Sequence, residues 1–531
     1  MTLNATIRSY DIICFGDELP GILALVAASR EYRRQTGKTP KTLLMFKGYS
    51  QQGVGGHLVR GQLAYLDRSH VPQEVRQEYN LPLFGDPSSL YKEFLQRSGV
   101  VQIALDPKRA DAALRLMLSE AGADIVSRVE IQSVLKQGNT LVGIQITRNN
   151  ETYLAKQFID CTVNAELAQR AGVLKVRGFG TLGLPQSELP VTLVFETTGL
   201  SITALRQVEE AYLRRFSNPY DAEAQNYLAI AAGWDPKLSD RFRQDMTDNL
   251  GRLKTMYVGQ DFIDIRSRAL SIAYHSFRGT KHMLHDSGTI LDAANIAVLP
   301  GGRLLWNALL FHVNGTEAEM LAQGACKPTP FMLQEMGFIE TWFKSLGAKT
   351  VKPAIELYVR HAGNVLEAKA PLSGAKMLAG AVPPDQALGT FGYHLDVRGG
   401  IEGLGPRAVE LGAGSINFPV APLFNIGIQH ALVQSVPNLA VVSPASGFDG
   451  YACAAGRIVE FNAGVGQGVG IAASLALCTG RNLFQISNKE IQQVLRVTRQ
   501  LPKIYGRAHT AEALRLQTFE LALLPVPVVT A

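Results

Sequence analysis

The stretch that most restricts the fold is residues 11–46. "DIICF" (11–15) is a continuous apolar run closed by Gly16, the pattern of a strand covered on both faces. A helical pattern follows from about Leu19 to Arg34, and "QTGKTP" ends it with Gly37 and Pro40. "TLLMF" (42–46) is a second buried strand. Two such strands joined by a helix make a parallel βαβ unit, and the turn before the helix is where such a unit grips a dinucleotide.

That turn reads Gly16-Asp17-Glu18-Leu19-Pro20-Gly21. Against the G-x-G-x-x-G pattern, Gly16 and Gly21 stand and Glu18 replaces the glycine that lets backbone approach a pyrophosphate. A carboxylate about 5 Å from a phosphate charge costs roughly 3 kcal/mol at an effective dielectric of about 20. The opposing reading is structural. A carboxylate in the first helical turn gains about 0.3–1 kcal/mol from the helix dipole, and Asp17 is a good N-cap type. On that reading "DE" supplies the protein's own anion to a place that otherwise binds one. The second strand ends in Phe46 and Lys47, with no carboxylate to accept from ribose hydroxyls.

Downstream, a loop carries the pair Gly55-Gly56. "DPKRADAALRLMLSEAGADIV" reads as a helix stopped by Gly122, "RVEIQSVLKQ" and "TLVGIQITRNN" as two strands joined by "GNT", and "YLAKQFIDCTVNAELAQRAGV" as a strand (158–162) before a helix. "LPVTLVFETTG" looks like a strand crossing into another region. Residues 200–375 carry mostly helical patterns; strands and turns return from about 385, followed by the Gly/Ala-rich helix "EFNAGVGQGVGIAASLAL" and a helical, charged tail ending in "LLPVPVVTA". The expected division is a nucleotide-type domain in two parts, 1–190 and 376–485, an inserted α-rich substrate or cap domain at 191–375, and a C-terminal tail at 486–531.

Composition narrows the function classes. Apolar residues make up 46% and charged residues 18%, which excludes a disordered chain. The net charge of +6 is spread along the chain without a basic block, so no nucleic-acid partner is expected. "LRRF" (213–216) sits beside Glu209 and Glu210 and reads as a solvated helix face. Cys14, Cys161, Cys326, Cys453 and Cys478 are scattered, with no C-x-x-C pair, which argues against a disulfide framework, an iron–sulfur cluster or structural zinc. "MTLNATIRSYD" lacks the apolar core of a signal peptide, and "AGVGQGVGIAASLAL" is cut by Gln467 and glycines and is short for a bilayer. A cytoplasmic protein without a transmembrane segment is the expectation.

These segments, in this order, resemble the FAD-dependent oxidoreductases that pair an N-terminal Rossmann βαβ unit with a C-terminal flavin-contacting helix, relatives of heterodisulfide reductase A-like flavoproteins. The resemblance spans almost the whole chain. Its sharpest element is Arg457 followed nine residues on by "GQGVGIAA", and "IDCTVNAELAQRAGV", "PVTLVFE" and "NLAVVSP" match further family segments. It implies an α/β fold with a Rossmann-type, glutathione-reductase-like FAD-binding domain. It also implies FAD as cofactor, held around Gly16, Glu18, Gly21, Phe46, Gly55, Gly56, Thr162, Arg457, Gly466 and Gln467. The chain departs from the family pattern at Glu18, at Phe46 for the ribose acid, at Val163 and Asn164 for a glycine and an acid, at Val442-Ser443-Pro444 for A-G-R, and at Gly450 for a histidine. These departures follow the path of the cofactor.

Several residues admit two readings. The glycines of "GQGVG" serve close helix packing or leave amides facing a flavin. Arg457 balances a flavin or pairs internally with Asp449 or Glu460. Asp396 and Arg398 line a pocket or pair with each other. His282 and His285, three apart, are expected on one helix face; with His275 and Asp286 they read as surface or pocket histidines in preference to a metal site. Two functions follow: an FAD-dependent oxidoreductase of unknown substrate and redox partner, or a family member that keeps the fold without FAD and acts as a binding or assembly protein.

Overall fold

The structure, a computed structural model, describes residues 6–398, 400–417 and 420–524. The first residues of "MTLNATIRSYD" and the end of the tail, "PVPVVTA", lie outside the described residues.

The βαβ unit forms as β1 (Ile12–Phe15), α1 (Leu19–Thr36) and β2 (Thr42–Phe46). A single helical turn follows as α2 (Gly56–Val59), then α3 (Pro107–Ala121), β3 (Ala123–Ser127) and β4 (Gln157–Asp160). Far along the chain come β5 (Leu439–Val441) and α4 (Val459–Thr479). The five strands make one parallel sheet in the order β5-β4-β1-β2-β3. Both β1 and β2 are buried along their whole length, which explains their unbroken apolar sequences. At the start of α3 Asp106 accepts from the Lys108 amide at 3.0 Å and Pro107 takes the first helical position. The two strands joined by "GNT" pair antiparallel, Ile131–Gln137 with Thr140–Ile146.

α4 packs along α1, and glycines make the approach possible. A Cβ at Gly466 would press into the Pro20 carbonyl and one at Gly470 into the Ala24 carbonyl. Among the described residues α4 alone is long and apolar enough to cross a membrane, longer than its sequence suggested. It is buried inside the molecule as a core helix.

The middle region is rich in helices, and its sequence patterning left one feature hidden. It is built on a seven-stranded antiparallel sheet whose long hairpin is Thr289–Leu299 and Arg303–Phe311. Phe195–Thr198, in the crossing strand, pairs with the second arm of that hairpin. The face of this sheet carries Trp306, stacked on Phe195 with ring centroids 5.8 Å apart. Glu209 does not lie on a solvated face. It is fully buried with Leu213 and Phe216, because the helix Ile202–Ser217 turns these three inward.

Candidate functional site

The turn between β1 and α1 sits at the C-terminal end of the parallel sheet, where open α/β sheets place their ligands. Glu18 is the N-cap of α1, yet its side chain makes no capping bond. Both acids of the turn reach across to the loop after β2. Asp17 Oδ2 accepts from the amides of Gly55 at 2.9 Å and Gly56 at 3.3 Å. Glu18 accepts from the His57 amide at 3.1 Å, and its other oxygen pairs with His57 Nδ1. Gly56 has φ +49°, and a Cβ there would strike the Glu18 carboxylate, so this close contact requires glycine.

Arg60 closes the arrangement. It binds Asp17 through both terminal nitrogens, with Nη2 to Oδ1 at 2.8 Å, while Nε donates to Glu356 Oε1 at 2.8 Å. Its guanidinium lies 5.1 Å from the Phe46 ring centroid. Burial alone would raise the Asp17 carboxyl, but Arg60 and the Gly55 and Gly56 amides outweigh it and hold Asp17 below the usual carboxylate range. Burial raises Glu356 despite Arg60, so the shared guanidinium favours Asp17.

Gly16, Glu18, Phe46 and Thr162 line one cavity of about 70 Å³. Lys47 at its edge is engaged by Glu166 at 2.9 Å. The Thr162 hydroxyl donates to Asp160 at 2.7 Å and accepts from the Glu166 amide at 2.8 Å. Burial raises Asp160 to about 6, against the hydrogen bonds from Thr162 and Ala168.

A second, larger pocket of about 440 Å³ is polar. Arg360, Arg398 and Arg457 line it, facing Tyr65, Asp67, Tyr393 and Asp396. Tyr358 links the two places. Its ring stacks on His57 with centroids 5.2 Å apart, the Arg360 guanidinium lies 4.7 Å from its centroid, and its hydroxyl accepts from Arg457 at 3.4 Å.

Residues 11–495 match the family described as FAD dependent oxidoreductase. The chain belongs to that family. No curated protein matches it. Among solved structures it is similar to a geranylgeranyl bacteriochlorophyll reductase-like protein from Thermoplasma acidophilum, with 11% identity, TM-score 0.36 and coverage of 97% of this chain and 90% of that one. The flavin-dependent brominase Bmp2 gives 9% identity and TM-score 0.36 over 92% of this chain and 83% of that one. L-proline dehydrogenase from P. horikoshii gives 10% and 0.34 over 92% and 99%. At these identities and TM-scores the solved structures carry no argument about this chain's chemistry.

The family's cofactor can be set against the residues present. A dinucleotide pyrophosphate needs free amides and a site that tolerates two negative charges. Here the Gly55, Gly56 and His57 amides already bond to Asp17 and Glu18. Pockets that hold cofactors span roughly 300–1,000 Å³, well above the 70 Å³ beside this turn. The arrangement does not fit the adenosine and pyrophosphate half of FAD.

The remaining residues of the sequence reading fall in other places. Gly21 packs against Cys14 and Cys161. Gly466 contacts Pro20 in the α1–α4 packing, and Gln467 bonds to the Leu90 amide at 3.0 Å and Ser89 Oγ at 2.8 Å. Arg457 pairs with neither Asp449 nor Glu460. Its ion partner is Asp396, at 3.7 Å, and Glu460 binds Arg68. Arg398 bonds to Asp292 and Asn295, not to Asp396. His282 and His285 do not share a helix face, because the helix begins at Leu284. His275 and His282 are buried against each other, and burial holds His282 near 4, so they are neutral core histidines and not surface ones. His285 instead meets His312 and Glu402 at the surface. Arg60, Glu356 and Tyr358 were not singled out in the sequence. Arg60 gave the one available signal, a cation four residues past Gly56 able to answer two acids.

Proposed function

We propose that this chain is a member of the FAD-dependent oxidoreductase family that keeps the architecture without retaining the dinucleotide, and that it acts as a binding protein for a small polar ligand held in the pocket at Arg457. One observation carries the reading: Asp17 and Glu18 put two carboxylates into the turn where a pyrophosphate would sit, and they take the amides of the Gly55–His57 loop that faces it. A phosphate placed about 5 Å from either carboxylate meets roughly 3 kcal/mol of repulsion per charge pair. Entry of FAD also requires the buried Asp17–Arg60–Glu356 group to open. On this reading 1–190 and 376–485 form the nucleotide-type domain, 191–375 the inserted ligand domain and 486–531 the tail. The polar pocket draws residues from both domains.

Family membership favours a second reading, an FAD-dependent oxidoreductase acting on an unidentified substrate. It needs Glu18 and Asp17 to swing out of the loop as the cofactor enters. The visible spectrum of the purified protein, with release of flavin on denaturation, separates the two. A colourless protein that stays colourless after incubation with FAD is the expected result. Near-stoichiometric FAD overturns the proposal and establishes the second reading.

A further inference from the structure

Arg360 is 1% exposed, yet it has no ion pair among the described residues. Its Nη1 donates to the Pro190 carbonyl at 2.6 Å, Nη2 reaches Asn307 at 3.4 Å, and Nε has no partner. Arg457 is 5% exposed, its Nε also lacks a partner, and its nearest carboxylate is at 3.7 Å. Burying a guanidinium is costly unless an anion answers it. The two meet at Tyr358, one over its ring and one at its hydroxyl, and both line the polar pocket. Arg457 presents a planar fork, the donor geometry that matches a carboxylate, and Arg360, its Nη1 taken by Pro190, adds its charge and an Nη2 held only at 3.4 Å by Asn307. Burial, added to by Arg398 and Arg457, lowers Arg360 to about 9, the condition that an anion would relieve.

The same pocket carries the carboxylates of Asp67 and Asp396. They repel a doubly charged phosphate and accept from a hydroxyl or ammonium group. We infer that the pocket binds a small carboxylic acid bearing a hydrogen-bond donor, a hydroxy acid or an amino acid, with its carboxylate on Arg360 and Arg457 and its donor group toward Asp67 and Asp396. The inference rests on the reading of this pocket as the ligand site and names the class of ligand it takes.

The test is calorimetric titration of the full-length protein with L-malate, L-glutamate, inorganic phosphate and succinamide at matched ionic strength. The expected result is binding of malate or glutamate, with phosphate and succinamide silent. Arg360→Met should weaken that binding by about 10–100-fold, the loss of a hydrogen bond to a charged group. The wild-type panel decides the class even if the variant does not fold. No binding of either acid, phosphate binding as tight as theirs, or unchanged binding by a folded Arg360→Met protein overturns the inference. Flavin content of the same preparation is read separately. A protein that carries FAD and still binds malate overturns the cofactor reading and leaves this one standing.

Discussion

Arg60 grips both carboxylate oxygens of Asp17 inside the protein, at the turn where a βαβ unit otherwise presents amides to a phosphate. Both side chains are about 95% buried, and Glu356 takes the remaining Nε donor. Removing the cation leaves two buried carboxylates without their main counter-charge, Asp17 with only the Gly55 and Gly56 amides and Glu356 with only Lys327 at 3.7 Å. Arg60→Met is expected to lower unfolding stability by about 3–5 kcal/mol, the loss seen when one member of a buried pair is removed. Denaturant unfolding checks it. A loss below about 1 kcal/mol, the scale of an exposed pair, would show that the group is solvated in solution.

Restoring the glycine of the fingerprint should not by itself restore the cofactor. Glu18→Gly removes one of the two acids, but Asp17 still holds the Gly55 and Gly56 amides, and Arg60 still lies over Phe46. The variant is expected to purify colourless and to lose about 1.5–3 kcal/mol as the charged hydrogen bonds to His57 disappear. Flavin absorbance and a denaturant melt measure the two effects. A yellow variant with bound FAD would make Glu18 the sole block.

The fold was legible where burial writes a period into the chain. β1 and β2 are apolar throughout because α1 covers one face and the antiparallel strands around 131–153 pack on the other, and α3 announced itself through its helical pattern and Gly122. The seven-stranded sheet was not legible. Its long hairpin mixes Asp292 and Asn295 into the first arm, where a register shift between Leu291 and Asn295 breaks the alternation that marks a strand. The acids of the turn were visible in the sequence, and so was their conflict with a phosphate. Their destination was not. Arg60 and Glu356 lie 296 positions apart, and no local pattern connects residues that only the packing of the middle region brings together. The same limit hid the pocket, whose arginines come from three separate segments.

Gly466 tests whether the glycines of α4 serve packing. A Cβ there meets the Pro20 carbonyl, backbone that cannot rotate aside. Gly466→Ala is expected to destabilise by about 1–3 kcal/mol through overpacking, despite alanine's better helix propensity of about 1 kcal/mol. Thermal unfolding of the variant checks the sign. A more stable Gly466→Ala protein would mean that α1 and α4 stand further apart in solution.

Glu209 gives the pH dependence a defined sign. It is fully buried, one oxygen accepts from the Met256 amide at 2.7 Å, and the other has no partner. Burial raises its carboxyl to about 7, with the Met256 hydrogen bond opposing. The unfolded chain loses this proton near 4.3, whereas the folded chain keeps it up to about 7. Between these values the folded state binds more protons, so its stability falls as pH rises, by up to about 1.4 kcal/mol per pH unit for one group. The contribution is intact below the unfolded value and gone above the folded one. Glu209→Gln removes the titration while keeping an acceptor for the Met256 amide. The stability of the variant relative to the parent is therefore expected to climb from pH 4.5 to pH 7 and then level off. Urea melts of both proteins across that range measure the difference. A difference that does not change with pH would place the Glu209 carboxyl in contact with water.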